Sequence, residues 1–110
     1  MNQHGPVRNA TPVEVKQQLE RGEIHLIDVR EPAEAAQSRI EGAELYPMSQ
    51  AAVWINDLPR DKPLVIHCHH GGRSLQVASA LLSRGYSDVR NMDGGIEEWS
   101  QTVDPQIPRY

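Results

Sequence analysis

At 110 residues the chain has room for one domain of ordinary size, able to bury roughly two-thirds of the surface its unfolded form exposes. A formal net charge of −4, with 24% charged residues, leaves no basic footprint for nucleic acid or an anionic membrane, so a small molecule or a protein is the expected partner. One cysteine excludes an internal disulfide, and no apolar run approaches the roughly 18 residues of a membrane span.

Met1 to Pro6 is polar, lacks the charged-then-apolar pattern of a signal peptide and reads as flexible, which makes the cytoplasm the expected location. Val7 to Ala10 suggests a short edge strand. Thr11-Pro12-Val13-Glu14 is a helix start: Thr11 caps, Pro12 suits the first helical position and Glu14 completes a capping box, giving a helix over 12–21 with Gly22 as its stop. Val15 and Leu19 share a face of it. Ile24 to Ile27 reads as a buried strand ending at Asp28-Val29-Arg30-Glu31-Pro32, and its His25 reads as a packed or edge histidine rather than a catalyst. Pro32 opens a short helix through Ala36, a short strand follows around Glu44–Tyr46, and Met48–Trp54 looks helical. Asn56 to Pro63 is rich in breakers and reads as an exposed turn.

Leu64-Val65-Ile66 is an apolar, partly β-branched run, as expected of a strand buried on both faces, and beyond His67 it leads onto Cys68. From Ser74 to Arg84, Leu75, Ala78, Leu81 and Leu82 recur at helical spacing, with Gly85 as the stop. Asp88–Arg90 predicts a last short strand, and Asp93-Gly94-Gly95 leads into a helix carrying Ile96 and Trp99 one turn apart. Trp54 and Trp99 read as core, Glu97-Glu98 as a solvated helix face, and 103–110, with two prolines, as an extended, exposed tail. Strand and helix patterns alternate throughout, predicting an α/β fold around a mostly parallel sheet, whose sites form beyond the carboxyl ends of strands. Cys68 and Asp28 both follow such ends.

The loop after Cys68, His69-His70-Gly71-Gly72-Arg73, opens into the helix starting at Ser74. Gly71 and Gly72 can take backbone angles barred to other residues, so the loop can turn its amides inward, while the helix adds unpaired N–H donors and the positive end of its dipole. Such a ring cradles an anion and stabilises a thiolate. The Cys68 pKa is therefore expected below the roughly 8.5 of a free cysteine, with Arg73 adding positive charge at the loop's end. The bland reading of a lone cysteine is a buried, inert thiol, which the Gly-Gly loop argues against.

Four stretches in this order resemble a single-domain rhodanese: Leu26-Ile27-Asp28-Val29-Arg30-Glu31-Pro32, Ile40-Glu41-Gly42-Ala43, Cys68-His69-His70-Gly71-Gly72-Arg73-Ser74 and Met92-Asp93-Gly94-Gly95-Ile96-Glu97-Glu98-Trp99. The resemblance implies a rhodanese-like three-layer sandwich, with about five parallel strands flanked by helices, and a sulfurtransferase mechanism. By that resemblance Cys68 is the nucleophile and persulfide carrier, and thiosulfate is a representative donor. The resemblance implies a thiol or cyanide as acceptor, with thioredoxin or a sulfur-carrier protein as protein partners of that kind. The loop amides from His69 through Arg73, with Ser74, would hold the substrate, Arg73 would fix the loop and help hold the anion, and Asp28 and Arg30 would brace the site. No metal or cofactor is implied, and a monomer is expected. Where the family often has glycine, histidine, isoleucine and proline, this chain has Ser38-Arg39-Ile40-Glu41, implying a different local turn. Members specialised for thiosulfate tend to place fixed cations after the cysteine, whereas here stand His69 and His70, whose charge depends on environment. Thiosulfate use is thus expected to fall as pH rises through the histidine range.

A cysteine phosphatase or arsenate reductase uses a similar cradle, but it needs five residues between cysteine and arginine, whereas Cys68 and Arg73 enclose four and Ser74 stands where that arginine belongs. Zinc bound by His67, Cys68, His69 and His70 is disfavoured because adjacent residues rarely converge on one ion and no second cluster exists. A silent regulatory or protein-binding module is the non-enzyme alternative, although inactive members commonly lack the cysteine kept here.

Overall fold

Thr11 begins the first helix as its sequence dictates. Its Oγ1 accepts from the Glu14 amide at 3.2 Å while the Glu14 carboxylate accepts from the Thr11 amide at 3.3 Å, closing the capping box on α1 (Pro12–Glu20). The computed structural model describes residues 6–110, so the flexible lead expected over 1–6 lies, apart from Pro6, outside the described residues. Before α1 stands β1 (Arg8–Ala10), and after it come β2 (His25–Asp28), α2 (Pro32–Gln37), β3 (Glu44–Leu45), a 3-10 turn at Met48–Gln50 running into α3 (Ala51–Trp54), β4 (Leu64–His67), α4 (Gly72–Ser83), β5 (Val89–Met92) and α5 (Gly95–Thr102). All pairings are parallel in a five-stranded sheet of order β1-β5-β4-β2-β3. The three-layer α/β architecture expected from the sequence is the one observed.

The period of two along β4 sorts its side chains. Leu64, Ile66 and, one step past the strand, Cys68 join the core beneath α4 with Val77, Ala78 and Leu81, whereas Val65 joins Val15 of α1 and Ile96 and Trp99 of α5 on the other face. Burying each Leu or Ile here stabilises the fold by about 1.5–3 kcal/mol. The parity that fills both cores thus delivers Cys68 to the α4 side, at the carboxyl end of the central strand.

Four expectations need correction. The inward face of α4 is Ser74, Val77, Ala78 and Leu81, while Leu75 is 45% exposed, because the close approach of the helix start to Cys68 turns Ser74 inward. The last strand starts at Val89 and runs to Met92, extended by its pairing with β1 through Arg8–Arg90, Asn9–Asn91 and Ala10–Met92. The 103–110 tail is not a solvated end: Val103, Ile107 and Tyr110 pack against the core beneath α1 and α5. Glu97 is half-buried rather than solvated, since its carboxylate accepts from Arg109 Nε at 2.6 Å. Among the described residues no helix is long and apolar enough to cross a membrane.

Candidate active site

Cys68 is 1% exposed, with its Sγ at the centre of converging donors. The Gly71 amide donates to Sγ at 3.1 Å and the Ser74 amide at 3.4 Å, and the Ser74 hydroxyl lies 3.4 Å away. Gly71 makes this possible by adopting φ 115° as the residue that caps α4, a left-handed conformation in which a side chain is strained; Gly72 is already part of the helix. Burial alone pushes the thiol pKa up. Hydrogen bonds from the Ser74 hydroxyl and from the amides of Ser74, Gly71 and His70 outweigh it and hold Cys68 below its ordinary value, the direction the loop sequence predicts.

The loop is fixed from below by α5. The Ile96 amide donates to the Cys68 carbonyl at 2.9 Å and the Glu97 amide to the His69 carbonyl at 3.1 Å. With these carbonyls drawn toward α5, the following amides are free to face Sγ. Only glycine fits at position 95, where a Cβ would stand 2.4 Å from the His69 carbonyl oxygen and 2.6 Å from that of Cys68. This contact gives the Gly94-Gly95 pair its place beside the cysteine loop.

Arg73 is tied to a partner on another helix. Its guanidinium grips the Glu34 carboxylate of α2 through two bonds of 2.7 and 2.9 Å, so much of the positive charge expected at the loop's end is balanced. That hydrogen-bonded pair holds the Glu34 carboxyl at about 2, far below the ordinary carboxylate range. Asp28 and Arg30 form a buried pair beside it: Asp28 accepts from the Arg30 amide at 2.9 Å, from Nε at 3.0 Å and from Nη2 at 2.7 Å. Arg30 also donates to the Ser38 carbonyl at 2.7 Å, which anchors the turn where this chain departs from the glycine-histidine-isoleucine-proline pattern. Burial opposes the Asp28 charge, but the bonds from Arg30 win and lower its pKa. His67 is fully buried, 3.9 Å from Asp28, and burial lowers its pKa, which keeps the ring neutral. His70 is exposed, whereas His69 is half-buried, its ring stacked between those of His70 and Tyr110 at 4.0 Å from each.

A family model described as the rhodanese-like domain matches residues 11–102. The chain belongs to the rhodanese-like domain family. Among its relatives is a sulfurtransferase of Allochromatium vinosum, 38% identical over 79 residues that cover 72% of this chain and 74% of that one. The thiosulfate sulfurtransferase GlpE of Pseudomonas fluorescens is 35% identical over 91 residues, covering 83% and 84%. In structure the chain is similar to the reduced CoADR-RHD of Bacillus anthracis, with a TM-score of 0.83 and 33% identity over 92% of this chain and 18% of that one. The chain also spans only 31% of a chloroplast rhodanese-like/PpiC domain-containing protein of Arabidopsis thaliana, to which it is 41% identical.

Around this rhodanese loop the structure adds residues that sequence reasoning missed. Asn91 places Oδ1 2.5 Å from the Ser74 hydroxyl and donates to Asn9 Oδ1 at 3.3 Å. Its signal was a polar residue at a buried position of an otherwise sheet-like run. Glu34 carried no signal, because its partner Arg73 lies 39 residues away. Tyr110 carried a weak one: Val103, Ile107 and Tyr110 recur at spacings of four and three, which the intervening prolines disguise.

Proposed function

We propose that this chain is a sulfurtransferase that carries sulfane sulfur on Cys68. The Cys68 thiolate attacks the outer sulfur of a donor such as thiosulfate, the sulfur–sulfur bond of the donor breaks with its electron pair, and sulfite leaves. The product is a persulfide on Cys68. An acceptor thiolate or cyanide then attacks the outer sulfur, and the Cys68 thiolate is regenerated without net oxidation of the protein. Small thiols, thioredoxin-like proteins and sulfur-carrier proteins are the acceptor classes this chemistry admits. A reducing cytoplasm, which keeps thiols free, suits it.

The observation that carries this reading is the ring of donors from Gly71 and Ser74 on a buried Sγ whose pKa is lowered. Donors fixed in advance around the reacting sulfur stabilise the thiolate, the transferred sulfur and the persulfide anion alike. Arg73 holds the loop through Glu34, and its role in this reading is to help hold an anionic donor. Asp28 and Arg30 brace the strand end behind it. The test is the intact mass of the reduced protein before and after thiosulfate. The expected result is a gain of one sulfur that cyanide removes and that Cys68→Ser lacks; no gain from thiosulfate or any other sulfane donor overturns the assignment.

A further inference from the structure

Tyr110 is the point where the tail meets the cysteine loop. Its ring lies on that of His69 at 4.0 Å and 14°, and His69 lies in turn on His70 at 4.0 Å. Its hydroxyl accepts from Arg30 Nη1 at 3.0 Å and donates to Glu34 Oε2 at 2.8 Å. Glu34 is the carboxylate that grips Arg73. One side chain therefore touches the residue after Cys68 directly and the residue before Ser74 through a single carboxylate. The rest of the tail holds it there: Val103 and Ile107 are packed on the core, and Arg109 pairs with Glu97, whose Oε1 is 3.5 Å from His69 Nε2.

Building on the sulfur-transfer reading, we propose that Tyr110 is a positioning residue that clamps the cysteine loop at both ends and keeps its amides aimed at Sγ. The loop is held from below by α5 through the carbonyls of Cys68 and His69. Among the described residues no backbone bond to another element holds its outer side, where His70 is exposed; Tyr110 supplies the hold there by ring stacking and by Glu34. A loop free to breathe on that side spreads its donors, and a thiolate that loses aligned donors becomes harder to form. The charges facing Cys68 are otherwise balanced: Arg73 of α4 with Glu34 of α2, Arg30 with Asp28 at the end of β2, and Glu97 of α5 with Arg109, leaving the His69 and His70 rings of the loop and the buried His67 ring of β4. Loop geometry rather than a free cation thus decides how readily Cys68 ionises.

The test measures the pH profile of Cys68 alkylation, the single-turnover rate of persulfide formation and the melting temperature in Tyr110→Phe, Tyr110→Ala and, as a control on the exposed tail surface, Gln106→Ala. For Tyr110→Ala the alkylation midpoint is expected to rise by about half a pH unit or more, with persulfide formation slowed severalfold at neutral pH. Tyr110→Phe keeps the stack and loses the hydroxyl, so its midpoint falls between; Gln106→Ala superimposes on wild type. An unmoved midpoint in both Tyr110 variants overturns the proposal, as does a slowed rate that tracks a lower melting temperature without a moved midpoint. Should Tyr110→Ala fail to fold, Tyr110→Phe decides alone. A moved midpoint in a protein that takes sulfur from no donor supports the clamp and refutes sulfur transfer.

Discussion

Ser74 has one hydroxyl proton and three acceptors within reach: Asn91 Oδ1 at 2.5 Å, the Gly71 carbonyl at 3.2 Å and Cys68 Sγ at 3.4 Å. While Cys68 is a thiol, its S–H can donate to this hydroxyl, whose own O–H donates to Asn91 Oδ1. Once the thiolate forms, the hydroxyl can turn its proton to sulfur. The side chain therefore favours the thiolate once it forms, and a hydrogen bond to a charged group is worth about 1.5–3 kcal/mol. Because Asn91 competes for the same proton, the low end applies, equivalent to about one pKa unit. Ser74→Ala keeps the backbone amide and loses this bond, so its Cys68 alkylation midpoint should rise by about one unit. At pH 7 the variant reacts more slowly, and the two rates converge once both thiols are fully ionised. A midpoint equal to that of wild type would show that the amides of Gly71, Ser74 and His70 suffice.

Helix α5 acts on the site through its first turn alone. Gly95 has φ 63°, and its Cα approaches two carbonyls so closely that an added methyl group would lie 2.4 and 2.6 Å from their oxygens. These are backbone atoms that cannot rotate away, so Gly95→Ala must shift either α5 or the cysteine loop. Overpacking of this kind costs about 1–3 kcal/mol, to which the left-handed backbone adds about 1 kcal/mol. Urea unfolding should show the sum, and the thiol should lose its depressed pKa together with the loop geometry; a variant as stable as wild type with an unchanged thiol would exclude the contact. At this scale the sequence was readable wherever the signal was local. The capping box of Thr11 and Glu14, the apolar run of β4 and the Gly-Gly before Ile96 each specify an element with residues a few positions apart. What stayed hidden needed two elements at once: Leu75 looked apolar and inward, but the approach of α4 to Sγ turned Ser74 to the core instead.

Across the whole molecule, the polar groups form one chain from Asp28 through Arg30, Tyr110 and Glu34 to Arg73, joining the end of β2, the tail, α2 and the start of α4. Apart from the local pair Asp28–Arg30, its pairings join residues 39 to 80 positions apart, which is why they were not legible, whereas the cysteine loop, a run of seven residues, was. The docked tail was missed for the same reason: its prolines forbid a regular element, and only the assembled sheet offers the surface that Ile107 and Tyr110 cover. This chain of charges ties stability to pH. Glu34 is held at about 2 by Arg73, against an ordinary value of 4.5, so the unfolded chain takes up the proton first as pH falls. The stabilisation from its charge is therefore fully present above pH 4.5 and is lost progressively as pH drops toward 2. Since Arg73 is 36% exposed, solvent screens the pair and its worth at neutral pH is about 1 kcal/mol. Asp28, also lowered, adds to acid unfolding of the wild type but is common to a Glu34→Gln variant and cancels in the comparison. Denaturant unfolding of the two proteins should then give a stability gap of about 1 kcal/mol at pH 7 that narrows below pH 4.5 and closes near pH 2. A gap that stays constant over that range would mean that Glu34 contributes through packing and not through its charge.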